Sequence, residues 1–255
     1  MISRCDLTNA VPHITSLRDE VSARRALLVF ANPAEIDCDR RRWPRSFRQL
    51  FKVDRFAALA SDRVDVHVVT PFAPPASEIL GCQVHIQDAS GQSFGARLQR
   101  AVDAVLAQGY EQLVIVGSDC PSLGAADVNQ AFALLDQKQV VLGPDHRGGC
   151  YLIGVHAASA PDFRTIRWHQ NSDFHQLLAR FGRQSAACLA EKIDLDTLED
   201  LRLLASSLQP GWQLAAALLA TLAERGCFAA SRCRSALGRH LTLSWQLPPP
   251  AFSIA

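Results

Sequence analysis

The sequence predicts an α/β protein: a mostly parallel sheet with helices on both faces. Three observations point there. Short apolar runs that read as buried strands recur along the chain, among them 25-RALLVFA-31, 64-VDVHVVT-70 and 114-VIVG-117. Between them lie stretches with apolar residues at three- and four-residue steps, the period of helices packed on a sheet. The order strand, helix, strand then favours parallel crossovers, and 255 residues with 48% hydrophobic content suffice for a full core.

Taken in order, residues 1–24 read as an amino-terminal extension and 25–31 as the first strand. A helix starting near Pro44 carries Phe47, Leu50, Phe51 and Phe56, and 64–70 is a second strand. QVHIQ at 83–87 is a short third strand. Residues 93–109 put Phe94, Leu98, Ala101, Val102, Val105 and Leu106 on one face and end at a glycine, a strong helix pattern. Strand 114–117 stops at Gly117 and Pro121, and a helix follows over 125–137. QVVLGP, the Gly148-Gly149 pair and CYLIGV read as strand, turn, strand. Residues 171–182 form a further helix, with Asn171 or Ser172 as its cap. From 208 the chain is an appendage, with an Ala- and Leu-rich helix over 212–226 and an extended end, LPPPAFSIA; the helix is a candidate homodimer contact.

The net charge of +1 provides no global field for nucleic acid or an anionic membrane, so anion recognition must be local. No apolar run is long enough to span a bilayer and the amino terminus lacks an apolar signal core, so a cytoplasmic location is expected. Eight cysteines without a CxxC pair read as free thiols rather than a disulfide frame or a zinc site, with Cys120 and Cys150 as packing residues.

Asp119 emerges at the carboxyl end of a central strand, where open α/β sheets bind ligands. It reads as a ligand contact or as a cap for the helix after Pro121. Arg40, Arg41, Arg42, Arg45 and Arg48 are the densest cationic cluster, suited to phosphate or simply a solvated helix start. Asp37 and Asp39 beside them read as a loop screening those arginines. In 193-IDLDTLEDL-201, Asp194 and Asp196 form another D-x-D, although Asp196 or Thr197 also suits an N-cap. Gly148 and Gly149 form a turn that admits a sugar or base, or a hairpin that needs no ligand. Asp145, His146, His169 and Asp173 are candidate acceptor bases that the sequence does not separate, and Trp168 either stacks on a substrate ring or packs.

VIVGSDCPSL, then VVLGPDHRGGCYLIGV, then a tryptophan, then IDLDTLEDL together resemble a glycosyltransferase-like family. Its fold is GT-A, that of nucleotide-diphospho-sugar transferases, related to molybdenum-cofactor and phospholactate guanylyltransferases. The likeness covers about residues 25–205, so that 25–207 is expected to be the transferase-like domain, a three-layer fold with a mostly parallel mixed sheet. It implies Mg²⁺ or Mn²⁺ on Asp119, with Asp196 as the second acid. It implies nucleotide or phosphate contacts at Asn32, Arg40, Arg42, Arg97, Ser118, Gly148 and Gly149, catalytic roles for Asp119, Asp145 and His146, and substrate contacts at Trp168 and His169. Where the family reads F-A-K-x-P-x-x-G-x-x-K-T-R-L, this chain reads FANPAEIDCDRRRW, with Asn32 and Asp37 at the first lysine and the glycine and Arg40 and Arg42 at the later lysine and arginine. Arg147 stands where an acid is usual. The expected function is metal-dependent glycosyl transfer from a nucleotide sugar to a small-molecule acceptor. Nucleotidyl transfer from a nucleoside triphosphate with pyrophosphate release is one alternative, and a non-catalytic nucleotide-binding or scaffold descendant is another.

Overall fold

A computed structural model of the protein describes residues 23–32, 34–40, 54–61, 63–71, 73, 81–87 and 91–207. The helix expected near Pro44 falls outside these residues except for its last turn, and so do Arg42 and the whole carboxy-terminal appendage. The strands are β1 (Arg25–Phe30), β2 (Val64–Thr70), β3 (Cys82–Ile86), β4 (Gln112–Gly117), β5 (Val140–Pro144), β6 (Cys150–His156) and β7 (Ala186–Cys188). The helices are α1 (Ala34–Arg40), α2 (Asp54–Ala57), α3 (Phe94–Leu106), α4 (Ala125–Leu135), α5 (Asp173–Phe181) and α6 (Leu198–Ser207).

The seven strands form one sheet in the order β3-β2-β1-β4-β6-β5-β7. Neighbours pair in parallel except at β6, which is antiparallel to both β4 and β5. The carboxyl ends of β1, β4, β5 and β7 therefore share one edge of the sheet. From β1 the chain builds outward to β2 and β3, then returns to place β4 on the other side of β1. That reversal opens a crevice between the ends of β1 and β4, which is where ligands bind in such sheets.

Alternation along each strand divides the core in two. Leu27 and Val29 of β1 and Val114 and Val116 of β4 pack with Val128, Ala131, Phe132 and Leu135 of α4. Ala26, Leu28, Leu113 and Ile115 face the other way, onto Leu98, Ala101, Val102 and Val105 of α3 and Leu177 of α5. Each fully buried Leu, Val or Phe contributes about 1.5–3 kcal/mol. Phe56 and Leu59 join the α4 side.

Ser93 caps α3 by accepting from the Ala96 N–H at 3.3 Å. Helix α4 is capped at Gly124, whose N–H donates to Asp127 at 2.8 Å, so Asp119 is not the cap of the helix that follows it. Ser172 occupies the N-cap position of α5 without a side-chain hydrogen bond. Asp37 and Asp39 belong to α1 rather than to a loop. The five cysteines among the described residues are free thiols, and no helix there is long and apolar enough to cross a membrane.

Candidate functional site

A cleft of about 420 Å³ lies over the β1/β4 crevice. Asn32, Thr70, Gln87, Phe94 and Arg97 line one part; Asp145, Arg147, Gly149, Asp173, Asp194 and Asp196 line another, with Ser118 and Asp119 between. Trp168, His169 and Asn171 complete the wall.

At the crevice itself Ser118 follows β4, with its hydroxyl 3.0 Å from Asp37 Oδ2 and 3.1 Å from Asp119 Oδ1. A hydroxyl carries one proton, so it donates to one carboxylate at a time. Asp37 is only 1% exposed, and its Oδ1 accepts from Asn32 Nδ2 at 2.9 Å. Buried in α1 rather than placed in a loop, Asp37 braces the strand end that carries Asp119. Only tertiary closure could reveal this, because Asp37 and Ser118 are 81 positions apart.

The second acidic strand end is reached after β7. An isolated bridge pairs Asp145 with Lys192, and Leu195 N–H donates to Asp119 O at 2.8 Å, which brings the 193–196 segment against the end of β4. Asp194 Oδ1 is buried and meets no hydrogen-bond partner among the described residues. Burial, then the charges of Asp119, Asp145 and Asp196, push its carboxyl well above the usual carboxylate range, partly offset by a hydrogen bond from Cys120. Asp196 is half exposed and pairs with Arg147 Nη2 at 2.8 Å. Its neighbour Thr197 is the N-cap of α6, with Asp200 reaching back to Thr197 N at 2.6 Å.

Asp200 is the anchor of this corner. Its Oδ2 accepts from Asp196 N, Thr197 N, Thr197 Oγ1 and Arg147 Nη2, and its Oδ1 lies 3.0 Å from His146 Nε2. His146 is therefore turned onto α6 and does not line the cleft, which corrects its expected catalytic place. Gly148 likewise supports rather than lines the site; at φ +99° its hydrogen faces Asn171 O, and a Cβ there would stand 2.5 Å from that carbonyl.

The aromatic wall is built for packing. Trp168 Nε1 donates to Phe163 O at 2.8 Å, and the indole meets Phe94 edge-on with centroids 5.1 Å apart. Gly95 makes room for it, since a Cβ would lie 2.9 Å from Trp168 Nε1. His169 packs its ring edge-on against Phe94 at 4.8 Å. Arg97 lies 5.5 Å over Phe30 and lines the cleft. Of the remaining expected phosphate contacts, Arg40 is the last residue of α1, and Arg42 lies outside the described residues.

Residues 53–170 match the model of a family described as "Uncharacterized protein conserved in bacteria (DUF2064)". The matched segment includes Asp119, Asp145 and Trp168, and ends before Asp173, Asp194 and Asp196. No curated protein matches the sequence. Among solved structures, a candidate nucleotide-diphospho-sugar transferase from Desulfovibrio desulfuricans G20 superposes with a TM-score of 0.62 at 22% identity, covering 80% of this chain and 96% of its own. Rv0371c from Mycobacterium tuberculosis H37Rv superposes at 0.50 with 14% identity, covering 73% of this chain and 100% of its own; it has also been solved in complex with manganese, at 0.45. A CMP:2-keto-3-deoxy-manno-octonic acid synthetase complexed with CTP matches at 0.47 and 13% identity, over 72% of this chain and 100% of its own. At these identities the likeness shows the fold alone. The fold is that of nucleotide-diphospho-sugar transferases, as the strand pattern and motifs led us to expect.

Among the described residues no three His, Cys, Asp or Glu side chains converge to hold a metal ion. The donors present nevertheless suit one: all are carboxylate oxygens, the ligands of hard cations, and Asp194 Oδ1 is orphaned in the field of Asp119. Mg²⁺ commonly takes one or two carboxylates and completes its shell with water and substrate phosphate, so this pair fits such an ion.

Proposed function

We propose that the protein transfers a glycosyl group from a nucleoside-diphosphate sugar to a hydroxyl-bearing small molecule. One observation carries the reading: Asp119, at the carboxyl end of β4, lines the same cleft as the unsatisfied Asp194 and the Asp145 turn. A wall of carboxylates repels a bare pyrophosphate but suits a cation-borne one, and carboxylates also accept hydrogen bonds from sugar hydroxyls. Asp119 and Asp194 would hold the divalent ion, which when bound neutralises charge on the diphosphate leaving group. In this reading Asp194 replaces Asp196 as the second acid, because Asp196 is half exposed and already paired with Arg147.

The chain's own groups then have distinct tasks. Ser118 and Asp37 hold Asp119 in register with α1, and Leu195 N–H ties the Asp194 segment to the same strand end. Arg97 and Gln87 border the part of the cleft beyond β2 and β3, where the nucleoside would lie, with Arg97 on its phosphate. Trp168 and His169 close the acceptor side against water.

The test is a panel of nucleoside-diphosphate sugars and nucleoside triphosphates incubated with Mn²⁺ and a mixture of sugars and alcohols, with both nucleoside diphosphate and pyrophosphate quantified. Glycosyl transfer releases the diphosphate and no pyrophosphate. Pyrophosphate release would instead establish nucleotidyl transfer, and release of neither with any donor would refute the reading.

A further inference from the structure

The loop between β5 and β6 and the start of α5 bring two carboxylates to one wall of the cleft. Asp145 is fixed there, its Oδ1 accepting from the N–H groups of Arg147 and Gly149, each at 2.7 Å. Asp173, the first residue of α5, lies across the turn, and Phe174 N–H donates to Gly148 O at 3.2 Å. Gly149 is where the two meet. A Cβ at that position would stand 2.6 Å from Asp145 Oδ2 and 3.5 Å from Asp173 Oδ2, so both carboxylates border a space that any other residue would fill. Asp173 Oδ1 is buried and has no hydrogen-bond partner among the described residues. Ser172 at the N-cap makes no side-chain capping bond, and His169 and Asn171 just ahead hold positive φ angles of 60° and 52°. Against burial and the Asp145 charge, the Asp173 anion has the nearby His169, its own backbone N–H and its helix terminus.

We propose that Asp173 is the base that takes the proton of the acceptor hydroxyl, with Asp145 accepting a hydrogen bond that orients it. The assignment rests on the glycosyl-transfer reading. The acceptor oxygen forms a bond to the anomeric carbon, and the bond from that carbon to the β-phosphate oxygen breaks. Its electron pair leaves with the nucleoside diphosphate, and the hydroxyl proton passes to Asp173 and then to water after product leaves. The other candidate bases are occupied: His146 is bound to Asp200 outside the cleft, and His169 packs on Phe94. The groups facing Asp173 are Asp145 and the Cys150 thiol from the sheet and His169 from the preceding loop. Burial first, then Asp145, raise the Asp173 carboxyl above its ordinary range, which favours proton uptake.

Water can serve as the acceptor, so the experiment measures nucleoside diphosphate release from UDP-glucose, UDP-N-acetylglucosamine, GDP-mannose and TDP-glucose with Mn²⁺, in the parent and in Asp173→Asn. Binding of UDP and GDP and the melting temperature are followed alongside. The variant is expected to bind the diphosphates within twofold of the parent and to melt no lower, while its turnover falls about 100-fold or more and the acidic limb of the pH–rate profile disappears. Turnover within threefold of the parent overturns the base and leaves the transfer reading intact. So does a loss of turnover accompanied by a lower melting temperature and weaker diphosphate binding, which marks a structural role. A parent that binds no diphosphate and hydrolyses no donor refutes the transfer reading, and the base with it.

Discussion

Replacing Asp194 with Asn removes a charge from the least comfortable position in the cleft while keeping the side-chain shape. One carboxylate oxygen is buried without a partner, and Asp119, Asp145 and Asp196 all oppose its ionisation. An unsatisfied buried polar group costs about 1–3 kcal/mol, more when it is charged. The Asn amide can donate to the neighbouring acids, so the gain at pH 8 should be of that order. For a domain of this size a kilocalorie moves the melting temperature by roughly 2–4 °C, so Asp194→Asn should melt about 2–12 °C higher at pH 8 in EDTA. The sign with pH follows from linkage. A carboxyl raised in the folded state binds its proton more tightly there than in the unfolded chain, so its stabilising effect is complete below the unfolded value and is lost as pH rises through the folded one. The advantage of the variant should therefore shrink towards pH 4, where the parent's Asp194 is already neutral. Differential scanning fluorimetry at pH 4, 6 and 8 measures it. A variant less stable than the parent at pH 8, or equally favoured at pH 4 and 8, would refute the reasoning.

Other outcomes follow from the same geometry. Asp200→Ala strands two backbone N–H groups and His146 and leaves Arg147 with Asp196 alone, so urea denaturation should show a loss of about 3 kcal/mol or more, whereas Asp196→Ala, which removes a half-exposed pair, should cost about 1 kcal/mol or less. Gly148→Ala forces a side chain into a left-handed backbone facing a carbonyl, and should destabilise the protein by more than Gly149→Ala, whose Cβ meets a side-chain carboxylate; comparing their denaturation midpoints checks the order. Gly149→Ala should nonetheless cost more turnover per unit of lost stability, because it invades the space that Asp145 and Asp173 border.

The strands and main helices were legible because buried segments must carry their own period. The run around Val114–Val116 and the Phe94–Leu106 helix are found within a few residues of where the sequence puts them. The position of Asp119 was legible too, since a strand that ends abruptly in a glycine delivers its next residues to the sheet edge. What escaped was the direction of side chains at joints between elements. Asp194 and Asp196 look equivalent in a D-x-D string, yet one is sealed beside Asp119 and the other is drawn outward by Arg147, a residue 49 positions away. His146 looked as available as Asp145 until α6 supplied Asp200. Asp173 could not be singled out because its partner across the turn is brought to it by the packing of Gly148 and Gly149, 24 positions or more ahead in the chain.

The central claim is that Asp119 holds a cation beneath a nucleoside diphosphate. Calorimetric titration of UDP and GDP with and without Mn²⁺, into the parent and Asp119→Ala, tests it most directly. The account predicts that Mn²⁺ tightens diphosphate binding to the parent at least tenfold and leaves the variant unchanged. Affinities that are equal in all four measurements would contradict it.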